Sequence, residues 1–365
     1  MTYGLRRIGV AFAVLGPVAL LAGCADATVA GGHGVASTVL PGAPVDYRSL
    51  TSTLNGSGSS FQDALEQVVA GEFAGVAPRA KVNYSKSGSS AGRQDLRDGI
   101  VHFAGTDTPI IGEKRVEFDR DLLHFPIASA PITVSYTLRG VNDLRLDAAT
   151  IAGIFQRRIT RWNDRRITAL NPGADLPATE ISVVHRSDGS GTTGNFSRFL
   201  HVAAPTTWRL GTGDSIAWPS HTQGAEKNSG VAAMVKTTEG AVGYVDLVDS
   251  ATSGLQRALV RNAAGRFVAP KLPGAKAAVD ASTVARDLTF DPVDAPGPDS
   301  YPITSPTWVV VDATQPDRAV ASALRAYLNF MLTRGQEVAP SVGYASLPES
   351  LRRRAIAQLD RIVAP

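Results

Sequence analysis

The stretch "VVHRSDGSGTTGNF", Val183–Phe196, runs from a short apolar segment into glycines and hydroxyl residues. That order predicts a strand, a tight loop and a helix start. At a helix start the first N–H groups have no partner within the helix and lie at the positive end of its dipole, so the loop can hold an anion. Serine and threonine add hydroxyl donors, and glycine lets the backbone come close. Two other stretches repeat the order: "LNGSGSSFQDAL" (Leu54–Leu65) and "VNYSKSGSSAGRQDL" (Val82–Leu96). One such loop alone is more often an ordinary cap and turn. Three describe a site that could surround a small oxyanion with neutral donors.

Around these loops, strand-like apolar runs alternate with amphipathic helical patterns from about Asp46 onward, which predicts α/β architecture. Phe61, Leu65, Val68, Val69 and Phe73 fall on one helical face, with Gly75 and Pro78 as stop signals. Asp147 is a good N-cap for the helix that carries Ile151, Ile154 and Phe155. Pro316 to Arg334 reads as a helix with Val320, Leu324, Leu328 and Met331 inward and Gly335 just past its end. The segment from Val260 to Ser300, rich in Pro, Ala and Asp, reads as mostly loop.

The 365 residues allow two domains and a substantial core. Hydrophobic residues at 44% and charged residues at 19% describe a soluble globular chain. The first 23 residues combine Arg6 and Arg7, an apolar run and small residues, which is the build of a secretory leader. The run from Ile8 to Ala22 is short of the ~20 apolar residues that cross a bilayer. Removal of that leader takes the formal charge from +3 to +1, a balance that points to no nucleic-acid partner. The single cysteine, Cys24, closes "LAGC", which resembles the lipobox of bacterial lipoproteins, where the cysteine is acylated. Residues 24–45 read as a flexible tether, and more than one acyl chain on Cys24 would anchor the protein to a membrane.

Three other chemistries deserve weighing. Gly189 to Gly194 fits a dinucleotide-binding G-x-G-x-x-G, but the region that should supply the next strand and its acid is "TTWRLGTGDSIAWP", with no strand run. Gly88 to Gly92 fits a G-x-S-x-G nucleophile elbow with Ser90 as nucleophile. A serine hydrolase of that build wants a late histidine, and the last one here is His221; this stays the alternative function. His33, His102, His124, His185, His201 and His221 show no paired ligand spacing, so no metal or other cofactor is expected.

In "LNGSGSSF", "VNYSKSGSSAG", "HFAGTDTPI", "HRSDGSGTT", "KNSGVAAMV", "GAVGYVD" and "YPITS", in that order, the chain resembles the phosphate-binding proteins that feed the high-affinity phosphate ABC transporter. The resemblance covers nearly the whole chain after Cys24. It implies a type II periplasmic-binding-protein fold: two α/β lobes joined by a hinge, closing on one inorganic phosphate. Lobe I would comprise residues 46–128 and 302–365, and lobe II residues 129–301. The protein would be a monomeric, non-enzymatic receptor that delivers phosphate to the transmembrane permease. Carried over motif by motif, phosphate contacts fall on Ser60, the N–H of Phe61, Ser89, Asp107, Arg186, Ser190, the N–H of Gly191, and Thr192, with Asp188 orienting Arg186. Ser60 stands where many members carry threonine, and Gln62 where many carry proline; His185 and the segment after Val260 also depart from the pattern.

Those residue types make chemical sense. A guanidinium offers a planar fork to phosphate oxygens. Asp107 facing an anion is repulsive unless the ligand brings a proton, and phosphate near neutral pH keeps one whereas sulfate keeps none. Asp107 would therefore accept a bond from phosphate and reject sulfate.

Overall fold

The computed structural model describes residues 45–365. The leader, Cys24 and nearly all of the predicted tether lie outside the described residues. The chain opens with a strand–helix alternation: β1 (Thr53–Gly58), α1 (Asp63–Val76), β2 (Lys81–Ser85), α2 (Ser89–Arg97), β3 (Phe103–Thr106) and the short α3 (Glu113–Val116). A long strand, β4 (Leu122–Tyr136), follows. Next come β5 (Arg145–Leu146), α4 (Ala148–Phe155), α5 (Arg165–Thr168), β6 (Ser182–Arg186), α6 (Gly191–Ala203), β7 (Gln223–Ala225) and α7 (Lys227–Thr237). After these lie β8 (Ala241–Asp246), α8 (Leu247–Thr252), β9 (Gln256–Arg257), β10 (Leu259–Arg261), β11 (Phe267–Val268) and α9 (Leu272–Asp280). The chain ends with β12 (Thr304–Asp312), α10 (Arg318–Leu332), α11 (Arg334–Val338) and α12 (Glu349–Gln358).

One sheet runs β2-β1-β3-β12-β4-β8-β6-β7, with β9 also paired to β4. Its first part is parallel through β1, β2 and β3, and β12 closes it antiparallel. β4 joins the two parts. From Leu122 to Pro131 it pairs with β12, and from Ile132 to Tyr136 with β8. All fifteen residues of β4 are buried, as expected of a strand covered on both faces. Pro126 and Pro131 interrupt its donors, Pro306 interrupts those of β12, and the β4–β12 register shifts between Thr307 and Trp308. The result is a mixed α/β molecule built as two lobes along a curled sheet.

The helices follow the apolar stripes, with instructive exceptions. In α1, Leu65, Val69 and Phe73 face inward, but so does Glu66. The Tyr327 hydroxyl donates to Glu66 at 2.6 Å and the Gln62 amide at 2.9 Å, while burial pushes the carboxyl up to about 7. Asp147 caps α4 in a reciprocal capping box with Thr150. Helix α10 begins at Arg318, because Asp317 caps it by accepting from the N–H of Val320 at 2.8 Å. Gly335 does not end the helical region but lies inside α11, packed beside Val69 and Met331. The 260–300 segment, expected as loop, carries the β10–β11 hairpin and α9, whose Ala275 and Ala278 are fully buried.

Candidate anion-binding site

All three hydroxyl-rich loops join a strand to a helix: β1 to α1, β2 to α2, and β6 to α6. Their helix starts converge at the centre of the sheet. Gly92 makes the first approach possible, since a Cβ there would lie 2.4 Å from the Cα of Gly58. Gly191 makes the second: a Cβ on it would come 2.7 Å from Ser89 Oγ and 2.9 Å from Asp107 Oδ2. The glycine thus lets the start of α6 sit against Ser89 and the Asp107 carboxylate.

Asp107 is 1% exposed. The Ser59 hydroxyl lies 2.7 Å from both of its oxygens, and Thr307 Oγ1 lies 2.7 Å from Oδ1. Its own N–H donates to Ser89 Oγ at 3.4 Å. Burial pushes the carboxyl up to about 6, against the pull of the Ser59 and Thr307 bonds and of the Arg186 charge. Thr307 Oγ1 also lies 2.6 Å from Gln62 Oε1, so its one proton serves either acceptor. Gln62 therefore ties α1 to β12, a role open to it because a side-chain amide stands where proline would supply none.

Arg186 ends β6 and is 3% exposed. Asp188 clamps it through two bonds, Nε to Oδ1 at 2.7 Å and Nη2 to Oδ2, which fixes the plane of the guanidinium. Burial raises the Asp188 carboxyl, but the bond and charge of Arg186 outweigh it and hold it below the usual range. Arg186 Nη1 donates to Asn228 Oδ1 at 3.3 Å. Asn228, in the first turn of α7, is the hub of the cluster: its Nδ2 lies 3.3 Å from Thr192 Oγ1 and 3.5 Å from Ser60 Oγ, and its N–H donates to Ser60 Oγ at 3.4 Å. It brings a fourth helix start to the site. Ser190 caps α6 by accepting from the N–H of Thr193 at 3.3 Å. The Phe61 N–H donates to Ser59 Oγ at 3.0 Å.

Ser60, Ser89, Asp107, Arg186, Gly191 and Thr192 thus lie within one connected cluster, with Ser190 on the same helix start and Phe61 on the same loop. The arrangement offers one cation, several hydroxyls and one acidic acceptor, all withdrawn from water. Ser90 has no place in it as a nucleophile. Its hydroxyl receives Arg93 Nη2 at 3.1 Å and lies 3.5 Å from Asp214 Oδ2, and none of the described histidines bonds to it. No cluster of metal-ligating side chains occurs among the described residues.

The family model described as "PBP superfamily domain" matches residues 37–334. Phosphate-binding protein PstS 3 of Mycobacterium leprae is 32% identical over 361 residues, spanning 96% of this chain and 97% of that one. The chain belongs to this family of phosphate-binding proteins. The phosphate-binding protein PstS of Xylella fastidiosa (strain Temecula1) is 31% identical over 303 residues, 82% of each chain. Among solved structures, a high-affinity periplasmic phosphate-binding protein bound with phosphate superposes with TM-score 0.68 at 21% identity, over 84% of this chain and 93% of that one. The phosphate-binding protein from Stenotrophomonas maltophilia gives TM-score 0.66 at 19% identity over the same shares. These likenesses support the two-lobed fold and leave no support for a serine hydrolase.

Within this phosphate-binding family member, Ser59, Thr307 and Asn228 escaped the sequence reading. Ser59 was one of five hydroxyl and glycine positions in a row, Thr307 sits in an apolar strand, and Asn228 lay within the motif "KNSGVAAMV" without a role assigned to it. The departure at His185 is structural: its ring stacks on Trp218 with centroids 4.8 Å apart and its Nδ1 lies 2.9 Å from the Arg186 carbonyl.

Proposed function

We propose that the protein is an extracytoplasmic receptor that encloses one inorganic phosphate between its lobes and delivers it to an ABC-type permease. The observation that carries this reading is the pairing of Arg186, its plane fixed by Asp188, with the buried Asp107 across a ring of hydroxyls. Arg186, Ser60, Ser89, Ser190 and Thr192 would donate to phosphate oxygens, joined by the N–H groups of Phe61 and Gly191. The Phe61 N–H would exchange its bond to Ser59 for one to the ligand. Asp107 would accept the phosphate proton. Asn228 extends this set as the side chain that keeps Ser60, Thr192 and Arg186 in register. With no nucleophile beside a general base, the bound ion leaves as it arrived, and binding shifts the lobes toward closure only by its preference for the closed state.

Lobe I would comprise 46–128 with 302–365 and lobe II 129–301, the hinge lying where β4 passes between them and where the chain returns just ahead of β12. The receptor would be monomeric and tethered through acylated Cys24. Isothermal titration with phosphate, sulfate and a phosphate ester tests the assignment: stoichiometric binding of phosphate alone is expected, and no heat with phosphate, or turnover of the ester, sinks it. Membrane fractionation tests the anchor, with Cys24→Ser expected to release the protein into the soluble fraction.

A further inference from the structure

Beside the anion site lies a second charged cluster that none of the proposed phosphate contacts explains. Asp214 follows α6 in a loop, and its side chain is 6% exposed. Arg93 Nη2 reaches its Oδ2 at 2.6 Å and Lys114 Nζ at 3.0 Å, while the Thr108 hydroxyl donates to Oδ1 at 3.0 Å. These partners come from α2, from α3 and from the loop after β3, all in the part of the chain before β4. The main-chain carbonyl of Asp214 accepts the N–H of Ser190 at 2.8 Å, the residue that caps α6. Next to this bond, the Ser90 N–H donates to the Gly189 carbonyl at 3.2 Å. Gly194 leaves room for the contact, since a Cβ there would come 2.6 Å from Asp214 Oδ1 and 2.6 Å from Thr108 Cγ2.

We propose that Asp214 is a positioning residue and a latch: its side chain draws the two halves together whether or not ligand is present, and its backbone sets the α6 start that faces the anion. Two cations meet one carboxylate here, so the contact is strongly asymmetric. With Asp214 engaged, its carboxylate sits between Arg93 and Lys114 and offsets one of their two charges; with it withdrawn, they repel one another. Buried ion pairs of this kind cost most when one partner is removed, because the remaining charge is left unpaired. Burial works against ionisation of Asp214, but the Arg93 and Lys114 charges outweigh it and keep the carboxyl below its usual range. The latch therefore stays set across the neutral range. Because the same residue fastens Ser190, a loosened latch should act on release of ligand more than on its capture.

The inference rests on the phosphate-receptor reading for its kinetic arm only. In the full chain, Asp214→Asn and Lys114→Met should each speed dissociation of radiolabelled inorganic phosphate about tenfold, with the association rate within about twofold of wild type, since changes within one interface fall mainly on the off-rate. The double variant should be no faster than Asp214→Asn alone, because both remove one contact. Lys114 is about one-third exposed, so its variant tests the idea even if Asp214→Asn folds poorly. A purely structural role would lower the melting temperature equally with and without phosphate and leave dissociation unchanged, and that result overturns the latch. Small-angle scattering without phosphate supplies the independent arm: both variants should show a larger radius of gyration than wild type. If wild type bound no phosphate, the receptor reading would fall, while unchanged scattering in both variants would separately sink the latch.

Discussion

Asp107 and Asp214 are both buried, at 1% and 7% exposure, and both lie where the halves of the molecule meet, yet their surroundings push them in opposite directions. Around Asp107 the nearest donors are the neutral hydroxyls of Ser59 and Thr307, burial dominates, and the carboxyl rises to about 6. Around Asp214 the nearest donors include Arg93 and Lys114, and the carboxyl falls below its usual range. Asp214 has its partners in the chain already. Asp107 keeps acceptor capacity that its neighbours do not fill, and under the proposed function a protonated ligand would relieve the cost of holding it ionised and under-compensated. Depth of burial alone does not say what a carboxylate is for; the charge of its donors does.

The largest test of this contrast is Arg186→Met, which removes the cation that faces Asp107 and strands Asp188. Phosphate affinity should fall by about a hundredfold or more, the cost of breaking one side of a buried charge pair. Titration calorimetry reads it, and a loss of less than about tenfold would mean that the hydroxyls hold the ligand without the guanidinium.

A smaller effect separates the two aspartates by pH. Asp107→Asn should retain phosphate binding while selectivity over sulfate drops by about tenfold, because an amide can donate where a carboxylate cannot. Wild type should lose the same selectivity as pH falls below about 6, where Asp107 takes up a proton, and Asp214→Asn should not alter that pH profile. The stability of the ligand-free protein runs the other way. A carboxyl whose folded value lies above its unfolded value destabilises the fold once ionised, so Asp107→Asn should stabilise the empty protein by about 2–3 kcal/mol above pH 6, the gain fading as pH drops toward 4. Thermal melts at a series of pH values measure it, and a stability gain independent of pH would break the account.

The smallest is Ser59→Ala. With one donor to Asp107 removed, the midpoint of the selectivity profile should move upward by less than about one pH unit, consistent with the net worth of one hydrogen bond to a charged group. An unchanged midpoint would assign the hydrogen-bond share of the tuning of Asp107 to Thr307.

The pattern of what the sequence disclosed follows from distance along the chain. Each hydroxyl loop is a local object, a strand end beside its own helix cap, and Ser60, Ser89 and Ser190 were legible as such. Asp107 was legible only through the resemblance carried by "HFAGTDTPI", and its chemistry then gave the assignment a reason. Asn228 reaches Ser60 across 168 residues, Thr307 reaches Asp107 across 200, and Asp214 reaches Lys114 across 100. No periodicity encodes such meetings, because they arise only when the sheet folds back through β4. The same cause hid α9. Its stripe is mostly alanine, and Ala275 and Ala278 acquire meaning only from the strands they pack on. Glu66 went unread for the same reason: a charged residue on the buried face of α1 is tolerable only because Tyr327 and Gln62, remote in sequence or outside the helix, supply its bonds.

The pairing of β4 with β12 carries a further implication. Pro126, Pro131 and Pro306 have no N–H to give, and the register already slips beside Thr307, so the β4–β12 ladder holds built-in gaps close to the proposed lobe boundary. Flexure at that proposed boundary would forfeit few main-chain bonds. The energetic difference between an open and a shut molecule is therefore left to the side chains that meet in the cleft, and point substitutions among them can retune how long cargo stays aboard without touching the scaffold.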